Sequence, residues 1–254
     1  MLNNIAHSAN VRLQNGVVFR DCRGFCRMLT SNIDRQTGEQ KVLHRAAERS
    51  RGAGRPTRAR AAEIKDVILR AAMTEFTERG FHASSVASIA ARAEVSRRTV
   101  YNQFQTKEQL LEVLAKHTCT RLRTLLAEVI ESDEPIWDTL YGVGMCFYSD
   151  AMGPDSRAIS RLLVMEGERM PALVRQGLSF RQYALEPLVN YLERQALEGV
   201  ITIEDHARAA QQFLHLTTSS IDYLFGDSGH TLEEQRQWVA AAVKTFLYGV
   251  HARR

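Results

Sequence analysis

The stretch Ser84-Ser85-Val86-Ala87-Ser88-Ile89-Ala90-Ala91-Arg92-Ala93-Glu94-Val95-Ser96-Arg97-Arg98-Thr99-Val100-Tyr101-Asn102-Gln103-Phe104 reads as two short helices around a tight turn. Ser85 is placed to cap the first of them, whose Ile89 and Ala90 face inward. Ser96 is placed to cap the second, whose Val100 and Phe104 close a small three-helix core. The polar, arginine-bearing surface is concentrated on that second helix. This is the pattern of a helix-turn-helix, in which the second helix lies in the major groove of duplex DNA and the first crosses the phosphate backbone.

Working outward, Ile64, Ile68, Ala71, Ala72 and Phe76 recur at helical spacing from about 59 to 79, and Gly80 stands where a left-handed C-terminal cap is wanted. Thr106 with Gln109 three residues on predicts a capping box, and the apolar run that follows carries a helix to about 131. Pro135 and Pro171 suit first-turn positions, and Thr231 with Glu234 forms another capping-box pattern. These signals predict further helices over 135–152, 155–167, 171–198, 204–225 and 231–251, with Pro187 kinking or dividing the long third one. No alternating strand pattern persists and no internal repeat is visible, so the expected fold class is all-α.

Composition agrees with a globular chain: 254 residues with 44% apolar residues can build a sizeable core. No apolar run approaches the roughly 18–20 residues of a membrane span, and the N-terminus lacks the order of a secretory signal, so the expected compartment is the cytoplasm. Charge divides along the chain. Residues 49–116 hold thirteen Lys/Arg against seven Asp/Glu, whereas residues 117–254 hold thirteen against eighteen. A basic module favours a polyanion through counterion release, and the acidic, apolar-rich remainder needs another partner. Residues 1–53 lack periodicity and end in a basic, Gly-containing stretch, which suggests a disordered arm. Arg55 and Arg58 either approach DNA from that arm or belong to an ordinary solvated tail. The expected domains are the arm 1–53, a DNA-binding domain 54–105 and a helical ligand-binding and dimerisation domain 106–254.

Several marks occur together in a fixed order: Gly54-Arg55-Pro56, Glu78-Arg79-Gly80-Phe81, Ile89-Ala90, Val95-Ser96, Thr99-Val100-Tyr101, Phe104, and Lys107-Glu108 before Leu110-Leu111. On these residues the segment 54–117 resembles the DNA-binding domain of the tetracycline-repressor (TetR) family of bacterial regulators. Residues 155–225, including Arg161-Leu162-Leu163-Val164-Met165-Glu166, are similar to the C-terminal domain of its AefR-like branch. One departure is Glu94, where the family usually has Gly; a side chain held at positive φ there costs on the order of 1 kcal/mol.

Arg97 and Arg98 open the reading helix and can each bind guanine O6 and N7 through two hydrogen bonds. Consecutive residues diverge by about 100°, so one is expected to read a base and the other to hold a phosphate. Ser96 caps that helix, Asn102 meets a base or a phosphate, and Thr99 either joins the interface or packs its methyl. Ser85 and the free amides beside it can bind phosphate. The resemblance implies that the Tyr101 hydroxyl and Lys107 meet the backbone, that the chain pairs as a homodimer, and that a palindromic double-stranded operator is released by a small molecule. For that effector, Trp137, Met145, Tyr148, Met165, Phe180, Tyr183 and Phe213 supply the side-chain types of an apolar pocket. Phe213, Leu216, Ile221 and Leu224, with Trp238, Val239, Val243, Phe246, Leu247 and Val250, form stripes suited to either a dimer bundle or the subunit's own core.

Other functions leave weaker traces. No HExxH, GxSxG, phosphate-binding loop or dinucleotide fingerprint is present, so the chain is not expected to be an enzyme. Cys22, Cys26, Cys119 and Cys146 lack zinc-site spacing, and neither metal nor cofactor is expected. Two alternatives remain: a thiol redox sensor using Cys119 or Cys146, and an architectural DNA-binding protein that needs no ligand.

Overall fold

The computed structural model describes residues 58–132, 134–218 and 230–249, and every described element is helical. The expected arm 1–53, Arg55, and the Ile221, Leu224 and Val250 positions lie outside the described residues. Helix α1 (Arg58–Ala83) is followed by the short pair α2 (Val86–Arg92) and α3 (Arg97–Gln103) and then by the long α4 (Lys107–Ile130). The larger helical body continues with α5 (Ile136–Met152), α6 (Pro154–Glu166), α7 (Pro171–Leu197), α8 (His206–Thr217) and α9 (Leu232–Tyr248).

The local signals act where the sequence puts them. Ser85 caps α2 through a reciprocal capping box with Ser88, and the Ser96 hydroxyl accepts from the Thr99 amide at the start of α3. Thr106 caps α4, but Gln109 Oε1 accepts from the amide of Gln105, one residue earlier than a capping box requires. Gly80 has φ 76 and ψ 170, a conformation open to glycine alone, so the regular run of α1 stops there and a last short turn reaches Ala83. Glu94 has φ 54 at the end of α2, where the Val95 amide donates to Ala90 O and the Glu94 amide to Ala91 O. That is a Schellman close; α7 ends the same way with Gly199 at φ 73.

Two helix expectations need correction. α8 stops at Thr217 instead of reaching 225, because Thr218 turns extended at ψ 127. The hydroxyls of Thr217 and Thr218 both donate to Leu214 O, competing with the next helical bonds. Pro187 does not divide α7, which runs unbroken through it. A proline has no N–H for the carbonyl four residues back, here Tyr183 O. Arg123 of α4 donates to that oxygen at 2.8 Å, stacks its guanidinium 4.4 Å from the Tyr183 ring centroid and pairs with Glu186.

The reading head, α1 to α3, does not have a core to itself. Ile68, Ala72, Phe76, Phe81, Ile89, Val100 and Phe104 are continuous with Leu110, Leu111 and Leu114 of α4, Ile159 and Leu162 of α6, and Leu173 of α7. In the body, α4 packs along α7, and α5 lies against α4, α8 and α9. Gly144 permits that second packing: a Cβ there would lie 2.7 Å from Val239 Cγ1 and 3.0 Å from Thr217 Cγ2. Gly144→Ala is expected to cost about 1–3 kcal/mol by overpacking, read from urea denaturation. Glu94→Gly should add about 1 kcal/mol by removing a side chain at positive φ, an outcome checked by the same measurement.

Candidate nucleic-acid interface

The interface is built on a helix of two faces. Val100 is fully buried and Phe104 nearly so, which turns the other face of α3 outward. Arg97, Arg98, Tyr101 and Asn102 are all exposed on it, Tyr101 by 54%. No ion pair among the described residues engages Arg97 or Arg98, so their guanidiniums are not spent on internal carboxylates. Thr99 is half-buried, its hydroxyl 2.8 Å from that of Ser96, which makes it part of the cap. Ser85 is exposed at the start of α2, with its hydroxyl accepting from the Ser88 amide and its own amide donating to the Ser88 hydroxyl. Arg58 opens α1, with its side chain outside the described residues.

Lys107 sits differently from a free phosphate ligand. Its Nζ donates to Phe81 O at 2.6 Å and Ser84 O at 3.0 Å, and lies 4.3 Å from the Phe81 ring centroid. It therefore fastens α4 to the corner between α1 and α2. From inside the corner the Ser84 hydroxyl donates to Gly80 O and Glu75 O. These two bonds tie Ser84 back to α1, and the α2 cap at Ser85 is held in place.

Two further residues escaped sequence reasoning. Glu75 is 1% exposed under the head, with Arg79 Nε 3.5 Å and Arg92 Nη2 3.3 Å away, and Arg92 also grips Glu78. This lattice ties α2 to α1. The signal was a charged residue inside the apolar stripe of α1, about two helical turns after Ile68. The Ser88 hydroxyl and the guanidiniums of Arg79 and Arg92 hold the Glu75 carboxyl below the usual carboxylate range.

The seven residues expected at an effector pocket do not converge. Met145, Tyr148 and Phe213 are buried, Phe213 against Phe147 and Phe246, while Tyr148 is hydrogen-bonded to His230 Nδ1 at 2.8 Å. Trp137 stacks on Tyr248, and Phe180 packs against the core beneath the head. Tyr183 lies under Arg123 at the surface. Met165 is 71% exposed, because Ile159, Leu162 and Glu166 take the inward positions of α6. The thiols are poorly placed for redox sensing: burial pushes Cys146 up to about 12 and raises Cys119 as well, which keeps the reactive thiolate scarce. Cys22 and Cys26 lie outside the described residues.

A carboxyl lowered by folding contributes stability that is present above its unfolded value and lost as pH falls through its folded value. Glu75→Gln is therefore expected to unfold more easily than the parent at neutral pH. The gap should narrow as pH drops below the carboxylate range, and a gap independent of pH in thermal melts would contradict the ionic role.

Residues 68–114 match the family model described as bacterial regulatory proteins of the tetR family. Residues 138–249 match that of the AefR-like transcriptional repressor C-terminal domain. The HTH-type transcriptional regulator YvkB of Bacillus subtilis is 27% identical over 150 residues, covering 59% of this chain and 76% of that protein. The crystal structure of a TetR-family regulator from Mesorhizobium loti superposes with a TM-score of 0.67 at 21% identity, covering 75% of this chain and 97% of that one, a likeness of fold alone. The flavonoid-responsive regulator FrrA superposes with a TM-score of 0.56 at 27% identity, covering 73% and 95% of the two chains. These relatives are transcriptional regulators, not enzymes. With an outward α3 on a helix-turn-helix head and a helical AefR-like body behind it, the chain belongs to the TetR family of helix-turn-helix transcriptional regulators.

Proposed function

We propose that this regulator is a homodimeric repressor that binds a palindromic operator and is released from it by a small apolar ligand. The observation that carries the reading is the outward face of α3, where Arg97, Arg98, Tyr101 and Asn102 stand exposed over a buried Val100. One of the two arginines reads guanine and the other holds a phosphate, while Tyr101 and Asn102 add backbone or base contacts. Arg55, Arg58, Ser85, Ser96, Thr99 and Lys107 complete the surface, Lys107 chiefly by fixing the corner that aims α2. The natural division remains a head over 54–105 and a body over 106–254.

Pairing is supported by Leu216, Trp238 and Tyr248, large apolar residues exposed on α8 and α9 while Val239 and Val243 fill the subunit's core. Two such subunits would set the reading helices about 34–36 Å apart, one turn of DNA. A ligand-released mode is supported by the AefR-like repressor match over the body and by the likeness to FrrA. Within the body the effector would meet the buried Met145, Tyr148 and Phe213 sooner than the exposed Met165 and Tyr183. Trp137 stacks on Tyr248, and Phe180 belongs to the separate core beneath the head.

Selection of preferred duplexes from a random pool, followed by binding assays, tests the reading. Arg97→Ala or Arg98→Ala should each lose about 1–3 kcal/mol and one of them should change base preference. Lys107→Ala should weaken binding on all sequences alike. Selection that yields no palindrome, or unchanged affinity in all three variants, would refute the assignment.

A further inference from the structure

Two parts of the body reach the corner at the end of α1. Lys107 holds it from α4, as described, and Glu166 approaches it from the end of α6. Nε2 of His82, in that corner, lies 2.7 Å from Glu166 Oε2. The histidine side chain is 61% exposed and the carboxylate 5%. Close as they are, the two do not form an aligned hydrogen bond: Glu166 Oε2 is buried without a hydrogen-bond partner among the described residues. The same Nε2 stands 2.9 Å from Nη1 of Arg169, in the turn after α6.

One imidazole nitrogen carries either a lone pair or a proton. It cannot accept from the guanidinium and donate to the carboxylate at once. A ring whose only proton is on Nδ1 accepts from Arg169 and leaves a buried carboxylate oxygen unsatisfied, which is costly. Either form that carries a proton on Nε2 must give up Arg169 and can donate to Glu166, and the imidazolium does so in a charge-assisted bond, the stronger of the two. Arg169 has room to withdraw because it is exposed. Lys107, which holds the same corner, is committed to Phe81 O and Ser84 O; Glu78, one turn before His82, is gripped by Arg92; and Glu168, beside Arg169, is exposed. Phe81 presents only a ring, 5.8 Å from the imidazole.

We propose that His82 and Glu166 form a proton-operated clasp between the reading head and the helical body, through which the head's hold on DNA responds to pH. Proton uptake by His82 tightens the clasp and proton loss loosens it. The last step rests on the head reading DNA; the clasp itself does not.

The test uses the full chain and three variants: His82→Lys, a permanent cation; His82→Gln, permanently neutral; and Glu166→Gln, which removes the acceptor charge. Hydrogen exchange of the 81–85 amides, corrected for the intrinsic effect of pH, is compared at about pH 6 and pH 8. Exchange in the parent should slow by at least about threefold at the lower pH, stay slow at both in His82→Lys, and stay fast at both in His82→Gln. Affinity for the selected duplex should shift by about threefold or more between the same conditions in the parent, moving from the His82→Gln value to the His82→Lys value. An identical pH profile in the parent and His82→Gln, or an unaltered profile in Glu166→Gln, would overturn the clasp. Failure to select any duplex would refute the DNA reading instead, and the exchange comparison would still decide the clasp.

Discussion

The burial of Ile159, Leu162 and Leu173 against the underside of the head is the contact on which the rest depends. One long helix and two short ones remove little apolar surface from water by themselves, so they share α4, α6 and α7 to complete their core. That sharing fixes where α3 points. It also means that a displacement of α6 or α7 cannot be absorbed at a loose linker, because the residues that would slip are the same ones that keep Phe76 and Val100 dry. The corner at Gly80 to Ser85 adds a polar hold beside the apolar one, supplied by Lys107.

Arginines in the head divide by what surrounds them. Arg92 is drawn to Glu75 and Glu78 and serves the joint between α1 and α2. Arg97 and Arg98, five and six residues later, emerge beyond the turn at Glu94 where no described carboxylate pairs with them. Their charge stays available to an outside anion. The difference is made by the Schellman close of α2, which redirects the chain over three residues. The excess of positive charge counted along this segment is therefore only partly a binding charge.

Much of this was legible in the sequence because the relevant physics is local. The caps at Ser85, Ser96, Thr106 and Thr231, the positive φ at Gly80, and the strained Glu94 each depend on a few neighbouring residues. The inward faces of α2 and α3 followed from spacing alone. What stayed hidden required partners distant in the chain. Nothing near Lys107 announces that its ammonium will bind carbonyls twenty-three and twenty-six residues back. The aromatic and methionine residues of the body gave a composition suited to a pocket, but their distribution between core and surface is set by helix rotation. That is why Phe213 and Met165 ended in opposite environments.

The repair at Pro187 carries a mechanical meaning. Leu173, near the beginning of α7, belongs to the core shared with the head, and α7 also packs against α8 in the body. Between those attachments one rung of its ladder is missing, and Arg123 fills the gap from outside the helix. A rod with a rung supplied by a side chain flexes most easily at that level. The level of Tyr183 to Pro187 in α7 is thus fastened to α4 through a single guanidinium, so the integrity of one helix there depends on a side chain of another.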